Sequence, residues 1–221
     1  MSNKRYIYET IMDEDEDANP NKVAKVAIAG IDDKLNVYAY DNHIYLYSSI
    51  NKENIIKLNN LIIDINKKVV NANKDYPMFK IEPKPIYLHI NSYGGCIFSA
   101  FTAIDFITNS SIPIYTIIEG ASASAATLIS VCGKKRYMCK NASMLIHQLS
   151  SGMIGKMSTL DDQYINLNEM MKKIKDIYLT NTTIKKTEID KLLKHDLWWD
   201  LTKCKKYGLF DEIWTGEDNI V

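Results

Sequence analysis

Apolar and polar positions divide the chain into short stretches of changing period. Over 36–47 they alternate singly and are rich in Tyr, Val and Ile, the pattern of a half-buried strand. From 51 to 68 the period lengthens. Ile55, Leu58, Leu61, Ile62 and Ile65 then fall on one helical face. Residues 71–84 are polar, contain prolines and read as loop, whereas 85–90 is a continuous apolar run of the buried-strand type. Asn91-Ser92-Tyr93-Gly94-Gly95 breaks that strand. A helix over 97–107, a strand over 112–118 and a helix over 125–131 follow. Two short strands are expected over 136–139 and 143–147, with His147 ending the second. A long helix is expected over 158–181 and a shorter one over 187–194, N-capped by Thr187. Residues 196–199 read as irregular, and a helical turn over 202–207 stops at Gly208.

Strand, break and helix in repetition predict parallel βαβ units with right-handed crossovers. Ligands bind beyond the carboxyl ends of such strands, so the breaks at 94–95 and 120–124 belong to one edge of one sheet. Residues 1–35 lack this periodicity. They hold the acidic block Asp13-Glu14-Asp15-Glu16-Asp17 and the breaker Asn19-Pro20-Asn21. An exposed, mobile arm or loop is expected there, with one short strand over 23–31, and a single domain over 36–221.

Composition narrows the picture a little further. The chain has 221 residues, 46% hydrophobic, enough for one sizeable core. Lys and Arg balance Asp and Glu at 27 each, with no basic stripe to suggest nucleic acid. The acidic N-terminal region is unlike a signal peptide, and no run of about 20 apolar residues spans a membrane, so a cytoplasmic protein is expected. Cys96, Cys132, Cys139 and Cys204 have no CxxC spacing and read as reduced core thiols.

The candidate chemistry centres on Gly120-Ala121-Ser122-Ala123-Ser124-Ala125-Ala126, between a strand and a helix. Small side chains there let the backbone turn sharply and a substrate approach, and the helix start offers free N–H groups. Ser124, where the helix begins, is the candidate nucleophile; serine is also a common N-cap, which would account for it without chemistry. Acyl transfer by serine further needs a base, an acid to orient the base, and oxyanion donors. His147 is the candidate base, with His43, His89 and His195 as rivals and His89 expected to be packed inside a strand. Asp196 and Asp200 compete for the third role, Asp200 being equally suited to cap the next helix. The backbone N–H groups of Gly94 and Ala125 are the candidate oxyanion donors.

In the long helix, Leu160, Tyr164, Leu167, Met171, Ile174 and Tyr178 are spaced four, three, four, three, four. That narrow stripe is the pattern of a helix-to-helix seam, so an assembled particle is expected.

Four segments occur in order: Ile86-Tyr87-Leu88-His89-Ile90-Asn91-Ser92-Tyr93-Gly94-Gly95, the Gly120 to Ala126 stretch, Leu145-Ile146-His147-Gln148, and Tyr207-Gly208-Leu209-Phe210-Asp211. Together they resemble the proteolytic subunit family of the Clp protease (ClpP), serine endopeptidases of the crotonase-like superfamily. The resemblance covers about 37–213. It implies an α/β crotonase-like fold of ββα units with a protruding handle helix at 158–181. It also implies Ser124, not Ser122, as nucleophile, His147 as base, Asp196 rather than Asp200 as acid, and Gly94 and Ala125 as oxyanion donors. No metal or cofactor is implied for cleavage. The implied partners are copies of the chain in two stacked heptameric rings, unfolded polypeptides as substrates, and an AAA+ unfoldase. That partner would consume the ATP, because this chain has no GxxxxGK[ST] loop. Three positions depart from the family pattern: Tyr93 replaces a usual proline, Ala125 a frequent methionine, and Leu149 the proline that follows His-Gln. The Ser-Ala-Ala sequence is similar to ClpP-like head-maturation proteases of phages, so a processing protease with the same triad is one alternative role. A catalytically silent structural ring subunit is another.

Overall fold

A computed structural model describes residues 37–75 and 83–216. The chain divides into two units, 1–31 and 32–221, and every described residue belongs to the second. The arm over 1–35 and the strand over 23–31 lie outside the described residues.

The first alternating stretch forms a hairpin, β1 (Val37–Tyr40) and β2 (His43–Leu46), rather than one strand. Asp41 takes φ 54° in the two-residue turn between them, a conformation that Asp tolerates better than most residues. Helix α1 (Lys52–Asp75) runs past the expected end at 68. Val69 still packs on the core, and no Gly or Pro interrupts the chain before Pro77. Then come β3 (Ile86–Ser92), α2 (Ile97–Thr108), β4 (Ile114–Ala123) and α3 (Ala125–Val131). They are followed by β5 (Lys135–Met138), β6 (Ser143–Leu145), α4 (Met157–Asn181) and α5 (Ile189–Leu193). Glu188, not Thr187, occupies the N-cap of α5, and its side chain makes no capping bond. The segment expected to be irregular contains β7 (Trp198–Trp199), and α6 (Leu201–Lys206) and β8 (Glu212–Ile213) complete the fold.

The sheet runs β1-β2-β3-β4-β5-β8, parallel from β2 onward. Ile44, Leu46, Ile86, Leu88, Ile90, Ile114 and Ile118 pack with Ile55, Leu58 and Ile62 of α1 and Ala100 and Ala103 of α2 in one buried core. Each fully buried Leu or Ile contributes about 1.5–3 kcal/mol. His43, Tyr45, Tyr87, His89, Tyr137 and Trp214 form a ladder of ring contacts between strands.

β4 divides its loyalties. Tyr115–Ile118 pairs with β5, and Ala121–Ala123 pairs with β6, which in turn pairs antiparallel with β7. The switch falls at Gly120, φ +63°, where a Cβ would press within 3.2–3.3 Å of the Asn91 side chain. Asn91 Oδ1 accepts from Ala121 N–H at 3.3 Å. The stretch from Gly120 to Ala123, expected to be turn, is thus strand, and only Ser124 turns.

Arg136 ties the C-terminal elements to this sheet. Its guanidinium donates to both Asp211 carboxylate oxygens (3.1 and 2.5 Å) and to the carbonyls of Asn181 and Gly208. Burial works against the Asp211 charge, but the Arg136 hydrogen bonds and charge outweigh it and hold the carboxyl below its ordinary value. A depressed folded value stabilises the fold above the unfolded value of 3.8, and that stabilisation fades as pH falls further. Asp211→Asn should therefore destabilise by about 1–3 kcal/mol at pH 7, since the carboxylate is half in water. The gap between variant and wild type should shrink at pH 3. Melting curves at the two pH values check this, and an equal gap at both would remove the ion pair from the explanation.

Helix α4 buries only Ile174 and Tyr178, with Met171 and Ile177 partly covered. The expected seam stripe is therefore split. Its C-terminal half packs on the chain's own core, while Tyr164 (63% exposed), Ile165 and Met157 stand open.

Candidate active site

Ser124 links β4 to α3 at φ 55°, ψ −126°. A non-glycine residue there costs on the order of 1–3 kcal/mol and persists only where its surroundings pin it. Here Ser124 N–H donates to Leu145 O at 2.8 Å, and the Ser124 carbonyl accepts from Thr127 N–H (3.0 Å) and Thr127 Oγ1 (2.6 Å). Ser122 lies inside β4, fully buried, in register between Ser92 and Met144. Its buried hydroxyl has no hydrogen-bond partner, whereas Ser124 lines a cavity.

His147 follows β6, which pairs with the end of β4, and this brings it to the same cavity as Ser124. The cavity holds about 80 Å³ and is walled by Ile97, Leu128, Leu149, Ile174 and Tyr178. His147 Nδ1 lies 3.2 Å from Asp196 Oδ1; the histidine side chain is 22% exposed and the carboxylate 54%. The backbone beyond the ring is fixed by Gln148 N–H to Leu193 O (2.7 Å) and Leu149 N–H to Met171 Sδ (3.1 Å). Asp200 is otherwise engaged: its Oδ1 accepts from Lys203 N–H at 2.8 Å and caps α6. Among the described residues no hydrogen bond joins the Ser124 hydroxyl to His147, a gap that apo sites commonly show and substrate closes.

Gly94, two residues past β3, takes φ +95°. A Cβ there would sit 2.7 Å from Ala123 O and from Ser124 Cβ, so only glycine lets this turn lie against the serine. Gly94 N–H donates to Ser92 Oγ at 3.2 Å, a long bond that a developing oxyanion can outbid. Ala125 N–H opens α3 and has no partner within the helix.

The rival histidines stand elsewhere. His43 Nδ1 and His89 Nε2 are 2.8 Å apart, and His89 Nδ1 meets Glu119 Oε1 at 2.9 Å, with the Tyr47 hydroxyl on the other carboxylate oxygen. Burial disfavours the Glu119 charge, yet these hydrogen bonds keep its carboxyl below the ordinary value. Neither ring lines the Ser124 cavity, and His195 is exposed. Of the cysteines only Cys204 is buried. Cys96 is exposed at the start of α2, where hydrogen bonds from Ser99 lower its thiol. Among the described residues no group of three His, Cys, Asp or Glu is placed to hold a metal ion, and no helix is long and apolar enough to cross a membrane. The sequence reading missed Thr127 and missed that Tyr178 turns inward to it; helical spacing alone does not say which partner a stripe meets.

Residues 39–217 match the family model for Clp protease. The chain is 31% identical over 173 residues to the ATP-dependent Clp protease proteolytic subunit of Streptococcus mutans, covering 76% of this chain and 88% of that protein. It is 30% identical over 141 residues to the ATP-dependent Clp protease proteolytic subunit 1 of Chlamydia caviae, covering 62% and 74%. Among solved structures it matches a ClpP1 mutant from Listeria monocytogenes with TM-score 0.64 at 23% identity, over 80% of this chain and 94% of that one. The α/β ClpP-type fold expected from the sequence is the fold observed.

Proposed function

The chain belongs to the Clp protease family, and from that premise we propose that it is a serine endopeptidase cleaving unfolded polypeptides through Ser124, His147 and Asp196. The carrying observation is that Ser124 and His147 line one cavity while Asp196 lies against His147 Nδ1. Ser124 Oγ attacks the scissile carbonyl as His147 Nε2 takes its proton. Asp196 holds Nδ1–H and the charge that forms on the ring. The N–H groups of Gly94 and Ala125 receive the oxyanion, the former releasing Ser92 Oγ as it does so. His147 then protonates the departing amine, and water cleaves the Ser124 ester by the same route in reverse. Each step uses this chain's own side chains and backbone, with no metal or cofactor assigned a part. An AAA+ unfoldase partner would supply the unfolded substrate at the expense of ATP, and stacked heptameric rings built through the open half of α4 would enclose the sites.

A fluorophosphonate probe with mass-spectrometric mapping tests the reading. Wild type should be labelled at Ser124, Ser122→Ala should still be labelled, and Ser124→Ala should not. Labelling that survives loss of Ser124 overturns the assignment.

A further inference from the structure

Two hydroxyls and a carbonyl are linked in succession from α4 to the turn that bears Ser124. The Tyr178 hydroxyl lies 2.5 Å from Thr127 Oγ1, and Thr127 Oγ1 lies 2.6 Å from the Ser124 carbonyl oxygen. A carbonyl only accepts, so Thr127 commits its single O–H to Ser124. Tyr178 must then be the donor of the first bond, and the relay has one direction: Tyr178 to Thr127 to Ser124. Tyr178 is 1% exposed, and burial raises its phenol well above the ordinary value, so the donor keeps its proton across the working range.

We propose, on the serine-protease reading above, that Tyr178 is a positioning residue that fixes the Ser124 turn through Thr127. Ser124 occupies a backbone conformation that its neighbours must enforce. Of the bonds that enforce it, one comes from β6 and two from Thr127 of α3. Tyr178 is the point at which α4 joins them. Ile174, one turn earlier on α4, lines the cavity beside Ser124 but has no polar group to offer. The docking of α4 therefore reaches the nucleophile through one phenolic O–H, and a helix displaced from the body withdraws it.

Tyr178→Phe removes that O–H and keeps the ring. In the full-length protein it should lower the rate of fluorophosphonate labelling at Ser124, and kcat for a short peptide, by about three- to tenfold, with KM within about twofold of wild type. Thr127→Val should lower the same rates, and the double variant should lose no more than the worse single one, because both break one relay. Light scattering of Tyr178→Phe should match wild type, and its melting temperature should fall by no more than about 5 °C. Wild-type labelling rates in Tyr178→Phe, or losses that multiply in the double variant, overturn the relay while leaving the triad standing. A loss confined to KM, or one that tracks melting or disassembly, reassigns Tyr178 to packing and overturns the proposal as well. Wild-type protein that fails to label at Ser124 overturns the serine-protease reading, and the relay with it.

Discussion

Ser124→Ala and His147→Ala are each expected to lower kcat for peptide hydrolysis by about a million-fold, and the pair together by no more than either alone. The reason is that the hydroxyl is inert without a base and the base has nothing to activate without the hydroxyl. Both side chains line the same cavity of about 80 Å³, so neither has a substitute within reach. Asp196→Asn should cost about ten-thousand-fold while the protein stays folded, because an amide at Nδ1 favours the wrong imidazole tautomer. The geometry makes this the informative variant. Asp196 is 54% exposed and 3.2 Å from His147 Nδ1, so its removal leaves no buried charge and little packing to lose. Asp200→Asn is the control: its Oδ1 only caps α6, and Asn caps nearly as well. Steady-state kinetics of the five variants decides the matter; a severe Asp200→Asn beside a mild Asp196→Asn would reverse the two assignments.

The parallel sheet and the place of Ser124 were legible because several signals agree there. Apolar runs at 85–90 and 112–118, the glycines after them and the small residues around Ser124 all describe strands ending at one edge. The extension of β4 through Ala123 was not legible. Gly120 and Ser122 carry a turn composition, and pairing with β6, joined at Ser122 by β3, is a tertiary fact that keeps 121–123 extended. Likewise Asp196 and Asp200 are alike as sequence, and only a resemblance chose between them; in the folded chain Asp196 lies 3.2 Å from His147 Nδ1 and Asp200 caps α6. The stripe on α4 was read correctly as apolar and assigned a single partner, whereas it meets two environments along its length.

That division decides where an assembly should be broken. Met171 accepts the Leu149 N–H two residues beyond His147, and Ile174 and Tyr178 are buried under the body. Charge placed at these positions would damage the monomer and say nothing about contacts between copies. Tyr164 and Ile165 lie on the open half of α4, 63% and 58% exposed, with Leu167 half-covered on the same stripe. At about 1.5 Å per residue the helix is roughly 37 Å long, and much of that length has no apolar partner among the described residues. A self-paired seam counts each anchor twice, and a buried aromatic anchor carries about 2 kcal/mol or more. Tyr164→Glu combined with Leu167→Glu should thus weaken association by about a thousand-fold or more and split the particle at micromolar protein. Activity should fall with it, since α4 also carries Met171 and Tyr178, which brace the segments holding His147 and Ser124. Light scattering and peptidase assays on the same samples give the answer: a variant that stays assembled, or a wild-type monomer with full activity, would end the case for α4 as the assembly element.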